Sequence, residues 1–408
     1  MDRFPLGFWN YPGLNREGPE SVKDWDDAGM TLSVGPHYNA EKDDKSRMLA
    51  ILDAAQEKGI KIILMDSRCG WKGASTDPEG FRRRFQQVLD DFGSHPALYG
   101  FYAGDEPDDE AQPDAIAAMA IEKEMAPDLV PFLNHLPFYP GAAARVGTKM
   151  NYDDYLVDFC KKSGARLLCY DCYSQMDANS QGIEGYFTNL KMFHDAAEAC
   201  NIPWWTTLLS VGHFRYRCPK EDDFRWQLYT ALASGCNGIL WFFFYSVENH
   251  NFRISPIDSF NERSETFEWL SRIQRMCLKR EAPYLLHMKA ERVYHVNRSF
   301  GGYPFFVMGH DELFNHFVTT NNLPIIATVY KHEDGSTYCS VVNNSQTEST
   351  ACSTHLKGEH RVWRIDFGPK ETELISTKWG DTAFKCGNDE TVIDTWLAPG
   401  QMELYRVE

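Results

Sequence analysis

The stretch "LYGFYAGDEP", Leu98 to Pro107, carries an aromatic, glycine-containing run into two adjacent carboxylates, Asp105 and Glu106. Side chains alternate across a strand, so Gly100, Tyr102, Gly104 and Glu106 are expected on one face, with the glycines leaving room for Glu106 to project. A carboxyl group in an aromatic pocket is desolvated. Its pKa rises, and it can hold a proton for transfer near neutral pH. Such chemistry needs a partner. Asp171, in "LLCYDCYS", is one candidate, with Tyr173 on its strand face to hydrogen-bond to it or to a ligand. Glu248 and Asp66 are others, although Arg68 shares the face of Asp66 and can simply pair with it. Bland readings compete. Asp, Glu and Pro are favoured at helix starts, but "DDEAQPD" follows at once and can supply that cap. Asp171 can be a satisfied structural carboxylate.

These groups need a scaffold. Apolar, strand-like runs at 6–11, 31–38, 61–67, 98–104, 130–136, 166–173, 204–211 and 238–246 alternate with amphipathic helical stretches. Such alternation predicts an α/β chain whose residues 1–283 form a (β/α)8 TIM barrel. A doubly wound open sheet is second, because no Gly-rich phosphate loop follows the first strand. From 284 to 408 the texture becomes short alternating runs separated by turn signals such as "EDGS", which predicts a small all-β sandwich domain. Groups at the C-terminal strand ends of a barrel face its mouth. By strand they are Trp9, Asn10 and Tyr11; His37 and Tyr38; Asp66, Arg68 and Trp71; Asp105 and Glu106; Asn134 and His135; Asp171 and Tyr173; His213; and Glu248 and Asn249.

Composition removes several function classes. A net charge of −17 argues against nucleic acid and anionic membrane partners. The basic cluster "FRRRF" at 81–85 reads as a solvated helix face. No apolar run is long enough to span a bilayer, and the N-terminus lacks the pattern of a signal peptide. Eleven scattered cysteines suggest reduced thiols and a cytoplasmic setting. Cys169 and Cys172 form a C-x-x-C, but within a strand they point to opposite faces, which argues against redox chemistry. No cofactor is called for.

The sequence resembles TIM-barrel glycoside hydrolases, particularly the clan-A-like group. There the fourth strand ends in an Asn-Glu pair, often followed by Pro, and that Glu is the acid/base. "GDEP" is similar to it, with Asp105 in place of the Asn and Glu106 in place of the acid/base. The C-terminal "LAPGQMELYRV" is similar to the last strands of the β-sandwich that such hydrolases carry. That group's nucleophile ends strand seven, where "WWTTLLSVGHF" has no carboxylate. Other glycosidase barrels pair strands four and six, which makes Asp171 the first choice, Glu248 the second and Asp66 the third.

The resemblance implies a glycosidase acting on a carbohydrate substrate; exo action on a small oligosaccharide or glycoside is the expectation from the cytoplasmic setting, since imported substrates are short. Glu106 would protonate the glycosidic oxygen, and a second carboxylate would attack the anomeric carbon or activate water. Trp9, Trp71 and Trp241 would stack on sugar faces, while Asn10, His37, Asn134 and His135 would bind hydroxyls. Tyr38, Asp66, Arg68, Asp105, Tyr173, His213 and Glu248 complete the expected substrate-binding set. Two rivals stand. One is a metal-dependent sugar isomerase or hydrolase built on His37, Asp66, Glu106, His135 and Asp171, although no H-x-H or H-E-x-x-H pattern supports it. The other is a non-catalytic carbohydrate-binding protein, favoured by the missing strand-seven carboxylate.

Overall fold

Lys61–Asp66, "KIILMD", is buried at every position but the first. A strand without an exposed face must be covered on both sides, the condition of a parallel sheet wrapped by helices. The computed structural model, which describes residues 1–179, 182–248, 251–368, 370–375, 382–386 and 389–408, has that architecture. Strands β1 (Leu6–Trp9), β2 (Leu32–Tyr38), β3 (Lys61–Asp66), β4 (Leu98–Asp105), β5 (Val130–His135), β6 (Leu168–Asp171), β7 (Trp204–Leu209) and β8 (Ile239–Phe242) form a closed parallel barrel in sequential order. Pairing of Leu6 with Ile239 and Phe8 with Trp241 closes it. Its interior is packed by Trp9, Val34, Ile63, Phe132, Trp205 and Leu240.

Helices fix the strands from outside. The helix Pro78–Val88 begins with Pro, and the Asp77 carboxylate accepts the Gly80 N–H at 2.9 Å, satisfying one first-turn donor. Phe81, Phe85 and Val88 recur at helical spacing and are buried, each worth about 1.5–3 kcal/mol of burial. Phe85 meets Phe101 of β4 edge-on at 4.9 Å. Arg82 and Arg83 keep to the outer side, with Arg82 paired to Glu124. Among the described residues no helix is long and apolar enough to cross a membrane.

β4 does not alternate regularly. Its register slips twice: Ile62 and Ile63 pair with Leu98 and Gly100, and Tyr102 and Gly104 pair with Phe132 and Leu133. Each slip leaves one extra residue on β4, a bulge that re-aims the side chains beyond it. Tyr99 and Tyr102 therefore both pack with the barrel interior although three residues apart. The expected open face of glycines is not formed. A Cβ at Gly100 would strike the Val130 carbonyl, and the surface of Gly104 is covered by the Trp71 ring.

Contacts divide the chain into two units. One comprises Pro5–Pro219 with Cys236–Gln274, and the other Met1–Phe4, Lys220–Gly235 and Arg275–Glu408. The second unit holds two antiparallel sheets that fit an all-β domain. The four-stranded sheet runs in the order Phe314–Thr319, Thr350–Lys357, Glu390–Leu397, Thr382–Cys386. The six-stranded sheet runs in the order Lys370–Glu373, Val362–Asp366, Met402–Val407, Thr337–Asn343, Ile325–His332, Met288–Val296. Phe314, Leu356 and Ile393 from the first share a core with Ile325, Val341 and Tyr405 from the second.

Candidate active site

Glu106 follows β4 with φ +43°, a left-handed backbone that costs a residue with a Cβ about 1–3 kcal/mol. Its N–H donates to the Asn134 carbonyl at 2.8 Å, which ties the strained residue to β5. Helix capping does not account for it. The next helix starts at Gln112, and Asp108 accepts the Ala111 N–H. Two residues earlier, a Cβ on Gly104 would lie 2.0 Å from Trp71 Cζ3, so only glycine lets that ring lie against β4.

Three carboxyl groups converge here from β4 and β6. Asn134, at the end of β5, lies between them. Its Nδ2 donates to Asp105 Oδ1 at 3.0 Å and to Asp171 Oδ1 at 2.8 Å. The amide oxygen accepts the Cys169 thiol at 3.7 Å, which fixes which way the amide points. Glu106 and Asp171 lie close enough for each to shift the other's pKa, and Tyr173 lies beside Asp171.

Burial, then the charges of Asp171 and Asp105, push Glu106 up to about 9, and Arg145 offsets this only in part. Asp171 is raised by burial, but the hydrogen bond from Asn134 pulls it back. Glu106 is thus strongly held in its protonated form near neutral pH. Asp105 is raised too, by the surrounding wall first and by the Asp171 charge second. It stays open to solvent, which tempers the shift. The three titrate as one coupled set.

Aromatic rings surround the carboxyls. Tyr102 is backed edge-on by Trp9 at 5.4 Å. Phe242 lies nearly parallel to Tyr173 at 5.3 Å and meets Tyr11 edge-on at 5.7 Å. The Tyr11 hydroxyl feels Asp105, Asp171 and Glu106, and burial with those charges raises its pKa. Two clefts of about 670 Å³ and about 430 Å³ share Ser67, Gly70 and Tyr102. The larger reaches Trp71 and Asp105; the smaller reaches His37.

Glu106, Asp171, Asp105, Tyr173 and Trp71 thus fall together, with His213 beside Tyr173 at 5.8 Å in an aromatic cage. Burial lowers the His213 pKa to about 4, so it is neutral there. Other expected site residues lie elsewhere or do other work. Trp9 is 3% exposed beneath Tyr102, which leaves no face for a sugar. Asn10 is fully buried and donates to Glu17 at 2.5 Å. Tyr38 packs on Phe92. His135 packs on Phe159, and burial depresses its pKa to about 3. Trp241 is fully buried and donates to Gln274 at 2.7 Å. Asn134 has both amide hydrogens committed to carboxylates, so it clamps these groups rather than serving hydroxyls. Glu248 is exposed, and the charges acting most on Glu106 come from other residues. Asn249 lies outside the described residues.

Asp66 belongs to a structural pair. Arg68 Nη2 reaches it at 2.7 Å, and Arg68 Nη1 reaches Asp91 at 2.8 Å. Because the Asp66 side chain is fully buried, Arg68→Ala would strand its charge. A loss of about 3 kcal/mol in urea-unfolding free energy is expected; an unchanged midpoint would contradict this reading.

Tyr11 and Phe242 were not among the residues expected to bind substrate. A signal for both exists in the sequence. Two-residue alternation from Trp9 reaches Tyr11 and skips Asn10, and alternation from Leu240 reaches Phe242 and skips Trp241.

No family model and no curated protein matches this sequence. Solved structures do resemble the fold. A protein described as a glycoside hydrolase aligns with TM-score 0.58 at 11% identity, covering 99% of this chain and 92% of that one. A family 39 glycoside hydrolase from the gut symbiont Bacteroides cellulosilyticus WH2 gives TM-score 0.55 at 11% identity, covering 100% and 82%. A glycoside hydrolase family 5 structure from Bacteroides vulgatus gives 0.55 at 11%, covering 98% and 90%. At such identity the likeness is one of fold: a TIM barrel of the kind that glycoside hydrolases use.

Proposed function

We propose that the chain is a glycoside hydrolase cleaving a short glycoside from its end, with Glu106 as acid/base and Asp171 as its carboxylate partner. The observation that supports this is the gathering of Glu106, Asp105 and Asp171 at the strand ends, with Asn134 clamping Asp105 and Asp171. Two carboxyls in different surroundings give one acid and one base at the same pH. The larger cleft, about 670 Å³ and walled by Trp71, Tyr102 and Asp105, is of a size that suits a small sugar rather than a polymer.

In the proposed reaction Glu106 passes its proton to the glycosidic oxygen as the C1–O bond breaks. Asp171 bonds to C1, and the leaving group departs as a neutral alcohol. Glu106, now a carboxylate, takes a proton from water, whose oxygen attacks C1 and releases Asp171. Inverting enzymes keep their carboxyls about 6.5–9.5 Å apart to admit a water, whereas retaining ones need about 5–5.5 Å. With Asp171 as nucleophile the reaction follows the retaining course.

The test is a panel of aryl α- and β-glycosides, with product anomers followed by NMR. Hydrolysis of at least one member is expected, the first-formed sugar keeping the anomeric configuration of its substrate. Sugar binding without turnover across the panel would overturn the enzymatic reading in favour of a carbohydrate-binding protein.

A further inference from the structure

A second chemical cluster lies outside the barrel. Along Thr350–Lys357 burial alternates: Cys352 and Leu356 enter the core, and His355 takes the opposite face. His316 is its direct cross-strand partner. His355 pairs on its other side with Val392, so Glu390 sits two residues along on the same face. One donor atom from each of the three lies within 4.8 Å of the others. His355 Nδ1 is 3.2 Å from one Glu390 carboxylate oxygen, and His316 Nδ1 is 3.7 Å from the other. The imidazoles stack with centroids 3.6 Å apart. Asn315 donates to the same carboxylate and holds it in place.

A simple ion pair explains only part of this. One protonated imidazole satisfies Glu390, but two stacked imidazolium rings would repel each other. His316 Nδ1 is buried without a hydrogen-bond partner among the described residues. Two neutral imidazoles and one carboxylate are the donor set that suits zinc and its neighbours, whereas calcium and magnesium prefer oxygen alone. Tetrahedral bonds of about 2.0–2.1 Å place donors ~3.3 Å apart, so donors that lie within 4.8 Å of one another need to close in by at most about 1.5 Å.

We propose that His316, His355 and Glu390 bind a divalent transition cation of zinc's class, with the remaining position open to water. The ion would bridge three neighbouring strands of the four-stranded sheet and stabilise that unit. Nothing in this depends on the barrel carboxyls, and its failure would leave the proposed hydrolase untouched.

The experiment uses the full chain without an affinity tag, stripped with a chelator and dialysed. Zinc is titrated against a chromophoric competitor, with unfolding followed in parallel. Cys386, an exposed thiol whose cross-strand partner is Glu390, is replaced in a control variant, C386S. One tight equivalent and a higher melting temperature are expected in wild type and C386S, with no such response to magnesium. Both effects should vanish in the H316A/H355A double variant. Binding that survives in the double variant, disappears in C386S, or is absent from wild type would overturn the site.

Discussion

Replacing Glu106 with Gln is expected to lower kcat by about 10²–10⁴-fold, the usual contribution of a positioned general acid, while sugar affinity persists. Gln keeps the size of the side chain but has no proton to give to a leaving oxygen. The same variant is expected to be more stable at neutral pH. The folded pKa of Glu106 lies near 9, above its unfolded value of 4.5. Below about 4.5 both states hold the proton, and ionisation costs the fold nothing. As pH rises from there towards 9 the unfolded chain releases its proton first, and stability drains away. The Gln side chain does not ionise, so its advantage is absent at pH 4 and grows towards pH 9. About 0.5–2 kcal/mol near pH 7 is the scale usual for relieved active-site residues. Paired melting curves at pH 4 and 7.5, with kinetics at 7.5, check both halves. A variant that hydrolyses normally, or is less stable at pH 7.5 by the margin expected in its favour, contradicts the assignment.

Asp171→Asn is expected to cost at least as much in kcat, with a distinguishing chemical response. A retaining enzyme without its nucleophile still has a cavity where an anion can attack C1. Added azide should restore turnover on an activated aryl glycoside and yield a glycosyl azide of inverted configuration. Asn134 would keep its bond to Asp105, so loss of folding is not expected to mask the result. Normal turnover without azide would remove Asp171 from the reaction. Rescue yielding a product with retained configuration would remove it as the nucleophile.

The barrel was legible because eight apolar runs, punctuated by amphipathic stretches, leave few other ways to bury so much surface. The acidic pair was legible because polar groups rarely end such a run without reason. The finer assignments failed at one physical point. At the ends of β1 and β5 both neighbours of a pair are expected at the mouth, yet alternation there admits one of each, and at β8 the expectation falls on Trp241 rather than on its neighbour. Trp9 faces inward and Asn10 outward; Asn134 faces the carboxyls and His135 the helices; Phe242 joins the aromatic wall while Trp241 turns to Gln274. The two slips of β4 were hidden for another reason, since a bulge is decided by the partner strand and leaves no mark in the alternating pattern itself. The trio His316, His355 and Glu390 comes from three strands far apart in sequence, so no local spacing could announce it.

Gly104 and Trp71 occupy a single volume shared out between two segments of chain. A methyl group at 104 would evict the indole, and a smaller residue at 71 would strip one wall from the larger cleft. Neither position is free to drift alone, so descendants of this sequence should inherit the two as a matched pair or exchange them together for a differently shaped opening.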